Sequence, residues 1–73
     1  MDASPVLIDV LAVAAMLGVS RNSVWKLQAA GRLGPRPVRL GRCTRWRRLE
    51  VLAWIDADCP SRDQWEIIAG RKL

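Results

Sequence analysis

Residues 9–31 read DVLAVAAMLGVSRNSVWKLQAAG, and this stretch decides the fold. Asp9 predicts the start of a first helix, because its carboxylate can accept a hydrogen bond from the free amides of the first turn. Apolar residues then recur at the i, i+3, i+4 and i+7 spacing of a single helical face. They are Val10, Val13, Ala14 and Leu17. Gly18 ends this helix, since glycine tolerates the positive φ of a tight turn.

A second helix follows after a very short turn. Ser20 offers its N-cap, and the helix is predicted to run from about Arg21 to Ala30 and to end at Gly31. Val24 and Leu27 would point back to the core. Two helices joined in this way have the length and chemistry of a helix-turn-helix, in which the second helix presents its outer side to solvent.

The outer side of the second helix is basic and lacks any acid. It carries Arg21, Asn22, Trp25, Lys26 and Gln28. An ordinary helical hairpin with a solvated face is the alternative. The missing acids and a tryptophan on the solvent side favour a binding surface instead.

Basic residues are concentrated in the middle of this 73-residue chain, whose net charge is +5. Residues 20–48 hold nine basic residues, eight of them arginine, and no acid, whereas residues 49–70 hold five acids against Arg62 alone. One surface should therefore be strongly positive, and a polyanion such as nucleic acid is its natural partner. Arginine in place of lysine favours bidentate contacts to phosphate or guanine.

The arginine-rich stretch after the second helix predicts a small β-hairpin over Val38–Arg47, turning about Gly41 and Arg42. A two-residue loop would pair Leu40 with Cys43, which mixes apolar side chains with arginine on one face. Glycine at the first loop position suits such a loop, because a type II′ turn requires positive φ there.

A three-residue loop would instead pair Leu40 with Thr44 and Val38 with Trp46. That register separates apolar from charged side chains completely, and we therefore predict it. It places Val38, Leu40 and Trp46 in the core. The arginines that would then lie on the outer face are Arg39 and Arg45, with Arg42 at the tip. A hairpin whose arginines are merely solvated is the alternative, but the six arginines of residues 36–48 lie so close together that they repel unless a partner neutralises them.

Two more helices are predicted beyond the hairpin. The first begins at Arg47 or Arg48 and runs to about Asp56, with an apolar stripe of Val51, Trp54 and Ile55. The second covers about residues 62–69 and opens on the capping box S-x-x-Q of residues 61–64. Its buried residues would be Trp65 and Ile68. We predict a single domain over residues 1–73, with a core over 8–57.

Several classes of function are disfavoured by composition. The chain has no His and no Tyr, so the usual proton shuttle and the tyrosine nucleophile are missing, and we expect no enzyme. Cys43 and Cys59 cannot form a zinc site by themselves, which makes reduced thiols the expectation and leaves no metal or cofactor. The uncharged run Val10–Val19 is too short for a membrane span and follows Asp2 and Asp9, not a basic region. We expect a cytoplasmic protein without a membrane partner.

The run from Ile8 to Ile55 resembles the AlpA-like prophage regulators, a branch of the winged-helix group that also holds MerR-type regulators and phage excisionases. The resemblance rests on LGVSRNSVWKL, AAGRLGPRPVRLG, TRWRR and LEVLAWI, and it covers about two thirds of the chain. Residues that match the turn are Leu17, Gly18, Val19, Ser20 and Val24, and Trp25 stands where the family commonly has Tyr. Residues that match the wing are Pro37, Val38, Arg39, Leu40, Gly41, Arg45 and Trp46. The wing turn is shorter than in many relatives.

The resemblance implies a mainly α winged helix-turn-helix that binds double-stranded DNA as a transcriptional regulator, or as an excisionase-like factor that bends DNA for an integrase. A basic protein-interaction module is a third interpretation. The recognition-helix candidates are Arg21, Asn22, Ser23, Trp25 and Lys26. The wing candidates are Arg39, Arg42, Thr44 and Arg45. An integrase or a second copy of the chain is a candidate further partner, and nothing indicates a small-molecule effector.

Overall fold

Four helices and a three-stranded antiparallel sheet make up residues 6–70, the part of the chain that the computed structural model describes. The elements are β1 Leu7–Ile8, α1 Val10–Leu17, α2 Arg21–Ala29, β2 Val38–Leu40, β3 Cys43–Arg47, α3 Arg48–Asp56 and α4 Arg62–Ile68. Two helices, a hairpin and a closing helix in this order form a winged helix-turn-helix, which confirms the predicted fold class. The single domain predicted over residues 1–73 extends beyond the described residues at both ends and stays a prediction.

The helix-turn-helix forms through local capping, as predicted. The Asp9 carboxylate accepts a hydrogen bond from the Ala12 amide at 2.9 Å, and Gly18 ends α1 with φ of 70°. The Ser20 hydroxyl accepts a hydrogen bond from the Ser23 amide at 3.1 Å. These bonds satisfy amides that the first helical turn leaves without partners, so the turn is defined within a few residues of sequence.

Replacing Ser20 with alanine should lower the free energy of unfolding by about 1 kcal/mol, because the Ser23 amide loses its acceptor. Ser61 provides the matched control. It is the N-cap of α4, but its side chain makes no capping hydrogen bond. Ser61→Ala should therefore cost less in urea unfolding, and equal losses for the two variants would contradict this assignment of the α2 cap.

Three tryptophans fill much of the core. The buried apolar residues are Ile8, Val13, Ala14, Val24, Leu33, Trp46, Val51, Trp54 and Trp65. The prediction that Trp46, Trp54 and Trp65 serve as core residues is confirmed. Ile68 is 61% exposed, so its predicted burial was wrong. It is the last residue of a short helix that reaches the core through Trp65, and the end of that helix lies beyond the core.

The wing has the two-residue loop, and the predicted three-residue loop was wrong. Val38 pairs with Arg45, Arg39 with Thr44 and Leu40 with Cys43. Gly41 has φ of 58° at the first loop position, which is the glycine conformation that a tight hairpin turn of this length requires.

A strand that the sequence did not suggest fixes the orientation of β3. β1 pairs with β3, so that Ile8 lies opposite Trp46, and both side chains are buried. Cross-strand partners share a face and neighbours along a strand alternate, so Val38 and Leu40 point to the opposite side. Leu40 is 52% exposed and Val38 is half-buried, which corrects the prediction that both are core residues. Near the tip the hairpin extends past the core, and burial cannot select the register there.

Both cysteines are free and exposed. Partial burial, together with the charge of Asp58, raises the pKa of the Cys59 thiol above its usual value.

Within residues 6–70, no helix combines the length and the apolar character that crossing a membrane demands.

Candidate nucleic-acid interface

The outer face of α2 carries polar and basic side chains in solvent. Arg21, Asn22 and Lys26 are exposed. Among the described residues, neither Arg21 nor Lys26 has an acidic or hydrogen-bonding partner. Ser23 is half-buried, and its hydroxyl lies 3.0 Å from that of Ser20, so it belongs to the cap as well as to this face. The helix therefore presents two unneutralised cations and one side-chain amide.

Two tryptophans join this helix to the wing. The ring centroids of Trp25 and Trp46 lie 5.7 Å apart at an interplanar angle of 52°, a tilted packing that is favourable for aromatic pairs. Trp46 is fully buried, whereas Trp25 remains 40% exposed. The sequence placed Trp25 on the outer side of the second helix, and the contact with Trp46 shows that it also packs against the wing. Helix and wing are thus held together by aromatic packing.

Arg39 and Arg42 are the exposed arginines of the wing. Arg42 occupies the second loop position at the tip. Arg39 pairs with Thr44, and both share the Trp46 face of the sheet, which is the face that contacts α2. Neither arginine has an ion-pair or hydrogen-bond partner within residues 6–70. The wing therefore adds two unneutralised cations, one on the side that faces α2 and one at its tip.

Arg45 differs from the other wing arginines. It lies opposite Val38, is half-buried, and donates a hydrogen bond from Nη1 to the Thr44 carbonyl oxygen at 2.9 Å. The prediction that Arg39 and Arg45 share the outer face was wrong, because the two-residue loop places them on opposite faces. Arg45 therefore points away from the surface that α2 and Arg39 share.

Other arginines of the basic segment are neutralised by acids from the last two helices. Arg36 forms an ion pair with Glu66, whose hydrogen bond and charge raise the pKa of the guanidinium. Arg47 lies 3.9 Å from a carboxylate oxygen of Glu50. The sequence separated the chain into a basic and an acidic part but gave no sign of these pairs. The free positive charge is therefore concentrated on α2, the tip of the wing and Arg39.

Arg32 adds to that charge. It is exposed just beyond α2 and has no partner within the described residues. Sequence reasoning counted it in the basic segment without giving it a role. The signal that could have found it was its position directly after Gly31, the predicted end of the second helix.

Comparison with known families matches residues 8–58 to a model described as a helix-turn-helix domain. That range contains α1, α2, the wing and α3, and it stops before α4. No curated protein matches the chain, and no solved structure matches it either.

Proposed function

The chain belongs to the helix-turn-helix domain family and is a DNA-binding protein; from that premise we propose that it binds specific sequences of double-stranded DNA as an AlpA-type transcriptional regulator. One observation carries the proposal. Four cations without acidic partners, Arg21 and Lys26 on α2 and Arg39 and Arg42 on the wing, belong to two elements that the Trp25–Trp46 contact holds together. A protein that must be soluble but not bind DNA has no need of this arrangement.

In this proposal α2 enters the major groove. Asn22 is suited to read adenine, because a side-chain amide can pair with the N6 and N7 atoms of that base. Arg21 and Lys26 would bind phosphate or guanine, with Trp25 and Ser23 at the margin of the contact. The positive end of the helix dipole, at the N-terminus of α2, adds to the attraction for phosphate.

The wing would follow the DNA backbone or enter the minor groove, where a strongly negative potential attracts guanidinium groups. Arg42 is at the tip and Arg39 faces the helix side, so these two make the main contacts in our proposal. Thr44, on the same face, can donate a hydroxyl hydrogen bond to phosphate. Arg45 contributes less, since it lies on the opposite face and is bonded to the backbone of its own strand.

Asn22→Ala should relax the sequence preference at one or two base pairs, at a cost of about 1–3 kcal/mol against the preferred site. The slope of binding against salt should not change, because no phosphate contact is lost. Selected and randomised duplexes, compared over several salt concentrations, provide the measurement. Gln64→Ala, which removes an exposed amide on α4, is the control and should leave both quantities unchanged.

Competition provides the test of the proposal as a whole. A labelled duplex should be displaced less effectively by RNA or heparin than by an unlabelled duplex of the same total negative charge. This difference should hold at each of several salt concentrations. No preference for duplex DNA would contradict the proposal and favour the basic protein-interaction module, whose natural ligand is an acidic protein surface.

An excisionase-like directionality factor would use the same surface. Its work is to bend DNA for an integrase, so its effect is measured by the mobility of circularly permuted fragments. A regulator of the proposed kind should alter transcription from a promoter that carries its site. A strong bend without any effect on such a promoter would favour the excisionase-like factor over the transcriptional regulator.

A further inference from the structure

The C-terminal end of α2 is held by Arg62, which lies beyond the part of the chain that matches the family model. The Arg62 amide donates to the Gly31 carbonyl oxygen, and Nε donates to the Leu33 carbonyl oxygen, each at 3.1 Å. Nη2 donates to Oε1 of Gln28 at 2.5 Å. One residue at the start of α4 thus binds the last turn of α2 and the chain that leaves it.

The chemistry of these contacts fixes the Gln28 side chain. A guanidinium group has only donors, so the amide atom that faces it must be the oxygen. Two donors of one planar group therefore bind Gln28 in α2 and the Leu33 carbonyl oxygen in the chain that follows it. Lysine cannot reproduce this geometry. Arg62 is half-buried, and its donors at Nε and Nη2 are directed into the protein.

Arg62 is itself firmly placed. Trp65, one turn later in α4, is buried and donates from Nε1 to Glu50 of α3 at 3.1 Å. The Trp54 indole donates to the Pro60 carbonyl oxygen at 2.8 Å, which fixes the chain just before α4. Glu66 binds Arg36, in the segment that leads into the wing. The segment from residue 60 to residue 66 therefore connects α2, α3 and the approach to the wing.

We propose that Arg62 is a positioning residue for the recognition helix: it fixes the C-terminal end of α2 relative to the wing and so determines how well the protein discriminates between DNA sequences. This inference rests on the proposed function. Base contacts demand placement within a fraction of an ångström, whereas phosphate contacts tolerate small shifts. Without the Arg62 side chain, the last turn of α2 loses the hydrogen bond at Gln28, and the chain that follows loses the one at Leu33. The angle of the helix in the groove would then be less well defined.

The experiment compares Arg62→Lys, Gln28→Ala and the double variant with the unchanged protein. A preferred duplex is first selected from random sequences with the unchanged protein. For each variant we then measure the ratio of the dissociation constants for random and selected duplexes, and the slope of log affinity against log salt. Arg47→Lys is the matched control, since it makes the same chemical change at an exposed arginine that lies beside Glu50 and outside the proposed DNA surface.

Each single variant should lower the ratio about fivefold to tenfold, which is the effect of losing one ordinary intramolecular hydrogen bond. The double variant should lose little more than either single one, because both remove the same contact. The salt slope should stay at its original value, and Arg47→Lys should change neither quantity. Gln28→Ala tests the same contact from the other side if Arg62→Lys folds poorly, which circular dichroism will show.

Three results would overturn the inference. One is an unchanged ratio in both single variants. Another is a pair of losses that add in the double variant. The third is an equal loss on selected and random DNA with a smaller salt slope in Gln28→Ala or Arg62→Lys, which would make this pair part of the phosphate contact. If the selection with the unchanged protein enriches no duplex, the proposed function itself fails, so the two failures are distinguishable.

Discussion

Gly34→Ala should destabilise the protein by about 3 kcal/mol, near the upper end of what overpacking a core costs. A Cβ atom at this position would lie 2.4 Å from Nε1 and 2.5 Å from Cδ1 of Trp54, and 2.9 Å from Cγ of Trp65. Neither ring can move cheaply, because Trp54 is bonded to Pro60 and Trp65 to Glu50. A domain of this size has a total stability of roughly 4–11 kcal/mol, so the variant should be only marginally folded.

Thermal unfolding followed by circular dichroism measures the effect, with an expected fall in Tm of roughly 15 °C. Gly31→Ala separates packing from backbone strain. Gly31 has φ of 70°, so alanine there costs about 1–2 kcal/mol, but nothing lies within 4 Å of its added Cβ. Should Gly34→Ala unfold no more easily than Gly31→Ala, the two indole rings must be able to move apart, contrary to this account.

Replacing both Arg39 and Arg42 with alanine should weaken DNA binding about fiftyfold or more at 0.1 M salt. Each phosphate contact contributes about −0.9 to the slope of log affinity against log salt, which amounts to about eightfold per contact at that concentration. Both arginines are exposed and neither has an acidic partner within residues 6–70, so no internal interaction is lost with them. The loss should be similar for selected and random duplexes.

The control replaces Arg36 and Arg47 with alanine, which removes the same charge from the same basic segment. Because Glu66 and Glu50 already oppose these two arginines, the loss of DNA affinity should be much smaller. Gel shifts at several salt concentrations would decide between them. Equal losses for the two pairs would mean that binding depends on net charge and not on the surface that α2 and the wing form.

The sequence was a good guide wherever a structure depends on neighbouring residues. The Asp9 and Ser20 caps, the turn at Gly18 and the ends of α1 and α2 follow from hydrogen bonds that close within four residues. The basic α2 face and the basic hairpin were also visible, since charge is a property of composition. The choice among arginines was not visible. Arg36 and Arg39 lie three residues apart in the same basic segment, yet one is paired with an acid and the other is not.

A helix-turn-helix followed by an arginine-rich hairpin can be predicted from the residues alone. The faces of that hairpin depend on contacts between distant parts of the chain. Strand β1, which is two residues long, pairs with β3 and turns Trp46 inward, and a two-residue loop then places Arg39 and Arg45 on opposite sides. The physical reason is the range of the interactions. Caps and turns satisfy backbone groups locally, whereas register and ion pairing depend on partners such as Ile8 and Glu66, which only folding brings close.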